Sequence, residues 1–168
     1  VFHAPKLPEE IMNIRVLLSD RKTIVKVSDF DSLTMKAAGV EVTNGKFVSL
    51  KHTRDDDSKE INWYRSNERI DKNNGEYLPT YEELKEWYDN RKLINGALIK
   101  VGGEPMDNNR FYWSSDERTP GSAWGLLSSG GVRDWNDKVN DYYCVYRCRA
   151  FVRPLTLPCL FLQSDICR

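Results

Sequence analysis

A run near the middle of the chain, "LPTYEELKEWYDN" (residues 78–90), carries the clearest helix signal in the sequence. Thr80 can accept a hydrogen bond as an N-cap residue, and Glu83 three residues later completes a capping box. A second apolar period, "LINGALIKV" (residues 93–101), ends at Gly102-Gly103, where a glycine C-cap is expected. The sequence therefore predicts two consecutive helices at its centre.

Strand signals lie on both sides of this helical pair. Asn44-Gly45 separates two alternating apolar runs, which predicts a hairpin with a type I′ turn, and an earlier hairpin is predicted around Asp20–Lys22. After the helices, "RFYWSS", "SAWGLL", "GVRDW" and "CVYRCRAFV" predict further strands. The predicted fold class is α+β, with short antiparallel strands and hairpins around two central helices.

Length and charge limit the classes of function. The 168 residues, 40% of them hydrophobic, suit one globular domain, predicted at residues 1–153 with a C-terminal extension at 154–168. Lys plus Arg and Asp plus Glu number 25 each, so no excess positive charge favours nucleic acid as a partner. No apolar run approaches the roughly 18 residues of a membrane span. No signal peptide is visible, and the removal of one before Val1 is compatible with the sequence.

The four cysteines, Cys144, Cys148, Cys159 and Cys167, do not show the spacing of a metal site. On a continuous strand the Cα atoms of Cys144 and Cys148 would lie roughly 13 Å apart, beyond the roughly 7 Å limit for a disulfide. The second pair is too wide for the usual zinc pattern. Buried free thiols are favoured over bridges to the tail, and no metal or cofactor is predicted.

The triplet Trp135-Asn136-Asp137 has the letters of a Ca²⁺-ligand set in calcium-dependent lectins. A Ca²⁺ ion needs about six to eight oxygen ligands, so further side chains must converge on the triplet. The candidate partner loop, residues 102–109, carries Met106 where the ligating Asn would stand. A calcium site is therefore not expected.

A resemblance covers nearly the whole chain, from about Ile14 to Val152. It is carried by "YLPTYEELKEWY", "INGALIKVGGEPM", "YWSSDE", "SAWGLLSSGGV", "NDKVNDYY" and "RCRAFV", in this order. The set resembles bacterial and phage binding proteins with a C-type-lectin-like fold. Many of those are variable proteins of diversity-generating retroelements, in which a reverse transcriptase rewrites adenine-containing codons near the 3′ end; others are surface or tail-fibre modules.

The resemblance implies a scaffold whose last strands and loops bind a protein or glycan on a cell surface, as in receptor binding or adhesion. The implied location is the bacterial cell surface or a phage virion. From Arg133 to Tyr143 the chain is rich in Asn, Asp and Tyr, which is compatible with diversified codons and suits an adaptable contact surface. The candidate ligand-binding residues are Asn108, Asn109, Arg110, Arg118, Arg133, Asp134, Trp135, Asn136, Asp137, Asn140, Asp141, Tyr142, Tyr143 and Tyr146.

Two features depart from the family pattern. The chain reads "VYRCRAFV" where the family shows "VR-x-VR", so the facing of Tyr146 to Arg149 stays open, and the arginines point outward or form a buried charge-assisted pair. The extension adds Pro154, Pro158 and an apolar "CLFL". It is expected to pack across the domain or on another subunit, which would give a homo-oligomer. Trp113 and Trp124, by contrast, are expected in the core.

Two other classes of function are alternatives. A formylglycine-generating-like enzyme shares the broader fold, but Cys144 and Cys148 are the only match to its cysteine pair and are poorly placed as redox partners. His3 and His52 are the only histidines, both far along the chain from the C-terminal strands. A structural subunit of a fibre or pilus is the third possibility. We expect that this protein is not an enzyme.

Overall fold

The computed structural model describes residues 8–140 and 146–155, which form a mixed α+β domain with two β-sheets. The larger sheet has the strand order β2-β1-β3-β4-β10-β5, and the smaller has β8-β7-β6-β9. The strands are β1 Arg15–Leu18, β2 Ile24–Lys26, β3 Ala37–Thr43, β4 Lys46–Ser49, β5 Glu76–Tyr77, β6 Phe111–Thr119, β7 Ser122–Leu127, β8 Val132–Asp137, β9 Tyr146–Arg147 and β10 Phe151–Val152. The helices are α1 Glu9–Met12, α2 Val27–Phe30, α3 Trp63–Arg69, α4 Tyr81–Asp89 and α5 Arg91–Lys100. The predicted α+β class is confirmed.

The two central helices begin and end where local signals place them. The Thr80 hydroxyl accepts the Glu83 N–H, and the Glu83 carboxylate accepts the Thr80 N–H, so the predicted capping box opens α4. Beyond α5, Gly102 adopts a left-handed φ of +89°, and the Gly103 N–H donates to the Leu98 carbonyl at 2.7 Å. Both predictions are confirmed.

The Asn44-Gly45 hairpin is confirmed, but its predicted turn type is wrong. Thr43 lies opposite Lys46 in the β3–β4 pair, while only Gly45 has a positive φ, +77°. A type I′ turn would need a positive φ at both central residues. The register instead shifts between Glu41 and Thr43, and the Glu41 carboxylate accepts the Gly45 N–H at 3.2 Å. A bulge and this side-chain bond complete the turn.

The first hairpin turns at Asp20–Lys22, as predicted. The Asp20 carboxylate accepts the backbone N–H groups of Lys22 and Thr23, both at 2.9 Å. Between Asp20 and Lys22, Arg21 adopts a left-handed φ of +63°, which is unusual for a residue with a side chain. The Asp20 side chain therefore fixes a turn that projects Arg21 from a defined position.

Helix α3 has no counterpart among the predicted elements. The Asn62 side chain caps it by accepting the Arg65 N–H at 2.8 Å. Its one fully buried residue is Ser66, whose hydroxyl donates to the Asn62 carbonyl at 2.7 Å. Because its buried face is polar, α3 shows no apolar period in the sequence.

The two faces of the smaller sheet meet different parts of the core. On β6, Tyr112 packs with Trp87 of α4 on one side, whereas Phe111 and Trp113 point to the other side with Ile61. This is the period-two alternation of a strand with both faces covered. The prediction that Trp113 is a core residue is confirmed, since its side chain is fully buried.

The buried side chain of Arg149 shows which residues of the closing strands point into the protein. Its side chain is 0% exposed, and its guanidinium donates to the carbonyls of Ser49 at 2.8 Å, Leu50 at 2.9 Å and Glu104. Burial lowers the pKa of Arg149 to about 10, so the group stays charged at neutral pH. Of the two expected orientations, burial is the one observed, but the chief partners are backbone carbonyls.

Arg147 is also buried, and its Nε donates to Asp107 Oδ2 at 3.0 Å. Tyr146 and Cys148 point to the opposite side, into the cluster that contains Phe111 and Trp113. Beyond Val152, the Leu155 N–H donates to the Arg21 carbonyl at 2.7 Å, and the predicted extension continues outside the described residues from position 156.

We predict that Thr80→Ala lowers the free energy of unfolding by about 1 kcal/mol, because the first turn of α4 loses its cap. Urea denaturation followed by circular dichroism measures the change. The matched control is Thr34→Ala, at an exposed bend outside any helix. An equal loss in the two variants would contradict a stabilising role for the capping box.

Candidate functional site

Strand β8 divides the predicted binding residues between two faces of the smaller sheet. Trp135 lies opposite Trp124 and Arg133 opposite Leu126, so these side chains share the face covered by α4. Asn136 points to the other face, where its Oδ1 accepts the Tyr146 hydroxyl at 3.1 Å. Asp134 lies on the same side as Asn136, and its carboxylate accepts the Trp135 N–H at 2.8 Å.

Two arginines stack on two indoles at the α4 side of the sheet. The Arg133 guanidinium lies 3.9 Å from the ring centre of Trp124, and that of Arg118 lies 3.9 Å from the ring centre of Trp135. Trp135 is 40% exposed. Both arginines are exposed, and neither forms a hydrogen bond or ion pair with any residue that the structure describes.

Trp124 is only partly buried, so its predicted place in the core is wrong. Alternation along β7 sends Ala123 into the core cluster of Phe111 and turns Trp124 to the opposite face. There α4 leaves part of the ring uncovered, and Arg133 lies over it. The indole therefore belongs to a surface.

A groove of about 540 Å³ runs beside Trp124 and Arg133. Its other wall is acidic and comes from the start of α4 and from β6. The Asp116 carboxylate accepts the Tyr81 N–H at 2.8 Å, and Glu117 pairs with Lys138 at 2.8 Å. We call the surface formed by Tyr81, Glu82, Asp116, Arg118, Trp124, Arg133 and Trp135 the indole face.

The loop of Asn108, Asn109 and Arg110 lies at the opposite end of β6 from Arg118. Nine residues of strand separate the ends of β6 by roughly 26 Å at about 3.3 Å per residue. Arg110 donates to the carbonyls of Asn108 at 3.4 Å and Asn109 at 3.0 Å within its own loop, and Asn109 has a φ of +55°. The loop does not join the indole face.

The remaining predicted residues lie elsewhere or outside the described chain. The Asn140 side chain donates to the Tyr146 hydroxyl at 3.4 Å, and the Tyr146 ring stacks on Trp113 with centroids 5.4 Å apart. Asp137 is exposed at the end of β8. Asp141, Tyr142 and Tyr143 lie outside the described residues.

The Trp-Asn-Asp triplet does not gather oxygens. Successive residues of β8 face opposite sides of the sheet, so Asn136 and Asp137 point apart. Met106 of the candidate partner loop is buried in the core, and the Glu104 carboxylate is bound by Arg54 at 2.7 Å. Among residues 8–140 and 146–155, no group of three or more His, Cys, Asp or Glu side chains is arranged to hold a metal ion.

A buried polar cluster between the sheets was not predicted. The Nε2 atom of His52 lies 2.7 Å from the Tyr112 hydroxyl, and its Nδ1 atom lies 3.3 Å from Glu104 Oε1. Burial, assisted by the positive charge of Arg149, lowers the pKa of His52 to about 3. Although burial opposes it, hydrogen bonds from Arg54 and the His52 N–H hold the pKa of Glu104 well below its usual range. His52 is therefore neutral at physiological pH and closed to solvent.

Cys148 is a fully buried free thiol, as expected. Burial raises the pKa of its thiol to about 11, so the thiolate is scarce near neutral pH. Thiolate is the reactive form of cysteine. The other three cysteines lie outside the described residues.

Comparisons with known proteins do not assign the chain. No protein-family model matches it, and no curated protein shows a significant match. The resemblance to C-type-lectin-like binding proteins therefore stays a prediction. Within the ranges 8–140 and 146–155, none of the helices has the length and apolar character needed to cross a bilayer.

We predict that stability falls by about 2 kcal/mol between pH 7 and pH 5 because His52 stays neutral in the folded protein. In the unfolded chain its pKa is near 6.5, so only the unfolded state takes up a proton in this window. The contribution of neutral His52 to the free energy of unfolding is fully present above pH 6.5 and is lost as the pH falls toward 3. Urea denaturation at several pH values measures it.

His52→Gln should flatten this pH dependence. An NMR titration of the His52 ring gives a check that needs no variant. A ring that protonates between pH 7 and 5 in the folded protein would contradict the prediction.

Proposed function

We propose that this protein binds a ligand without catalysing a reaction, and that the indole face is its contact surface. The scaffold is C-type-lectin-like, and the protein is displayed on a bacterial cell or a phage particle. Its ligand is a protein or glycan on a cell surface. The observation that carries the proposal is the pair of partly exposed indoles, each under an arginine whose N–H groups have no acceptor among the described residues.

The chemistry of the indole face suits recognition. Indole rings supply a large contact area at a low cost in conformational entropy. Stacking also restricts Arg118 and Arg133 before a ligand arrives, so less entropy is lost when their planar guanidinium groups bind carboxylate or carbonyl oxygens. The acidic wall at Glu82 and Asp116 adds acceptors for ligand hydroxyl or amine groups.

The positions of these side chains suit a constant scaffold with changeable contacts. Trp124, Arg133 and Trp135 project from paired strands, which hold side chains more rigidly than loops do. Arg133 and Trp135 also fall in the stretch that resembles the diversified region of the retroelement proteins. If this region is diversified, changes at positions 133 and 135 alter the ligand surface, whereas changes at 134 and 136 alter the opposite side.

The order of the family landmarks along the chain supports the C-type-lectin-like scaffold. A helical pair packed beside two sheets of short, mostly antiparallel strands is compatible with it. Cys148, the part of the proposed cysteine pair that is described, is buried with a raised pKa, which favours binding over formylglycine-type chemistry.

We predict that Trp124→Ala combined with Trp135→Ala lowers affinity at least tenfold, because both stacking surfaces are removed. The labelled protein would be screened against immobilised glycans and whole bacterial cells, and each ligand found would be titrated with both forms. Circular dichroism would confirm folding.

The matched control is Tyr64→Ala, which removes an aromatic ring that is 43% exposed on α3, at the other face of the smaller sheet. It should leave affinity unchanged. If Tyr64→Ala lost binding and the double variant kept it, the ligand would lie on the α3 side of the smaller sheet, which would contradict the proposal. Failure of the unmodified protein to bind any glycan or cell would contradict a cell-surface ligand.

A further inference from the structure

A second concave site lies at the end of the larger sheet and shares no residue with the indole face. It is a pocket of about 390 Å³ between the β1–β2 turn, the start of β3, the segment after β4, the end of α3 and β5. Four basic side chains line it, Arg21, Lys51, Arg54 and Arg69, against a single lining carboxylate, Glu76. The charged side chains that line it are therefore mostly basic, although the whole chain carries equal numbers of basic and acidic residues.

Two of the four cations have no side-chain hydrogen-bond partner among residues 8–140 and 146–155. The Nη1 atom of Arg21 is buried and makes no hydrogen bond with a described residue, and Glu76 Oε2 lies 3.9 Å away, beyond hydrogen-bond distance. Lys51 is exposed and forms no ion pair with a described residue. A buried donor without an acceptor destabilises a protein. An oxygen of a bound ligand would accept a hydrogen bond from this atom, which no described residue does.

The other two cations are held in fixed positions. Arg54 binds both oxygens of the Glu104 carboxylate, at 3.1 and 2.7 Å, and Arg69 binds Asp55 at 2.9 Å. Each is thereby positioned at the pocket wall by a carboxylate outside it. Because these carboxylates largely offset the charges of Arg54 and Arg69, the open hydrogen-bonding capacity lies with Arg21 and Lys51.

The backbone holds Arg21 over the pocket. Its left-handed φ is fixed by the Asp20 turn on one side, and its carbonyl accepts the Leu155 N–H at 2.7 Å on the other. The unpartnered guanidinium nitrogen is thus presented by a well-determined turn. Preorganised donors of this kind bind anions with little loss of entropy.

We propose that this pocket binds an oxyanion group, a phosphate or sulfate, either as the free ion or as the ester of a small molecule. Arg21 and Lys51 donate to its oxygens, and the paired Arg54 and Arg69 form the pocket wall beside them. Glu76 opposes binding, because its carboxylate faces the same space. The site is independent of the proposed cell-surface ligand.

NMR titration of the ¹⁵N-labelled protein at constant ionic strength tests the site, with inorganic phosphate, inorganic sulfate and glycerol 3-phosphate as probes and chloride as the reference. Saturable shifts of the amides of residues 50–54 are expected with at least one probe. Comparison of phosphate with glycerol 3-phosphate distinguishes a free ion from an ester. Absence of saturable shifts at these amides with every probe would overturn the proposal.

Charge variants test which groups bind. Arg21→Asn should weaken binding at least tenfold, and asparagine suits the left-handed φ at this position. Lys22→Asn removes the same charge from the neighbouring, exposed position and should change affinity less than twofold. Equal weakening by the two variants would overturn the site in favour of general electrostatic attraction.

Two further variants keep the test decisive if Arg21→Asn does not fold. Lys51→Ala, at an exposed position, should weaken binding severalfold. Glu76→Gln should strengthen it severalfold, since the opposing charge is removed and the side-chain size is kept. Weaker or unchanged binding in Glu76→Gln would contradict the proposed placement of the anion.

Discussion

The buried guanidinium of Arg149 is the contact on which the arrangement of the two sheets depends. It joins the Ser49 and Leu50 carbonyls at the end of β4 to the Glu104 carbonyl before β6, and it lies over the Trp87 ring at 4.9 Å. A buried charge without such partners costs several kcal/mol, so the backbone there must keep these carbonyls in place. The segment that lines the basic pocket and the loop that leads into β6 therefore bind the same group.

The sequence allowed the local elements to be predicted, because their signals lie within a few residues of each other. The capping box at Thr80 and the glycine end of α5 are of this kind. The buried cluster around His52 was not predictable in this way, since its partners come from distant parts of the chain and pair only after folding. Helix α3 was missed because its buried residue, Ser66, is polar.

The candidate site shows the same limit. Trp113 and Trp124 look alike in sequence, yet Trp113 is fully buried on one side of the smaller sheet, whereas Trp124 lies on the α4 side, where part of its ring is uncovered. Alternation on β8 likewise separates Arg133 and Trp135 from Asn136, although the run looks continuous in the sequence. The basic pocket gathers charges from four segments, so neither spacing nor the overall charge balance indicated it.

Hydroxyl-radical footprinting shows directly whether the ligand contacts the Trp124–Trp135 side of the smaller sheet. The sample is a complex of the protein with a ligand found on the cell or glycan panel. Side-chain oxidation would be measured for the free and bound protein by mass spectrometry. Oxidation of Trp124 and Trp135 should fall severalfold on binding, while that of Tyr64 should be unchanged. Protection of Tyr64 with undiminished oxidation of both tryptophans would contradict this prediction.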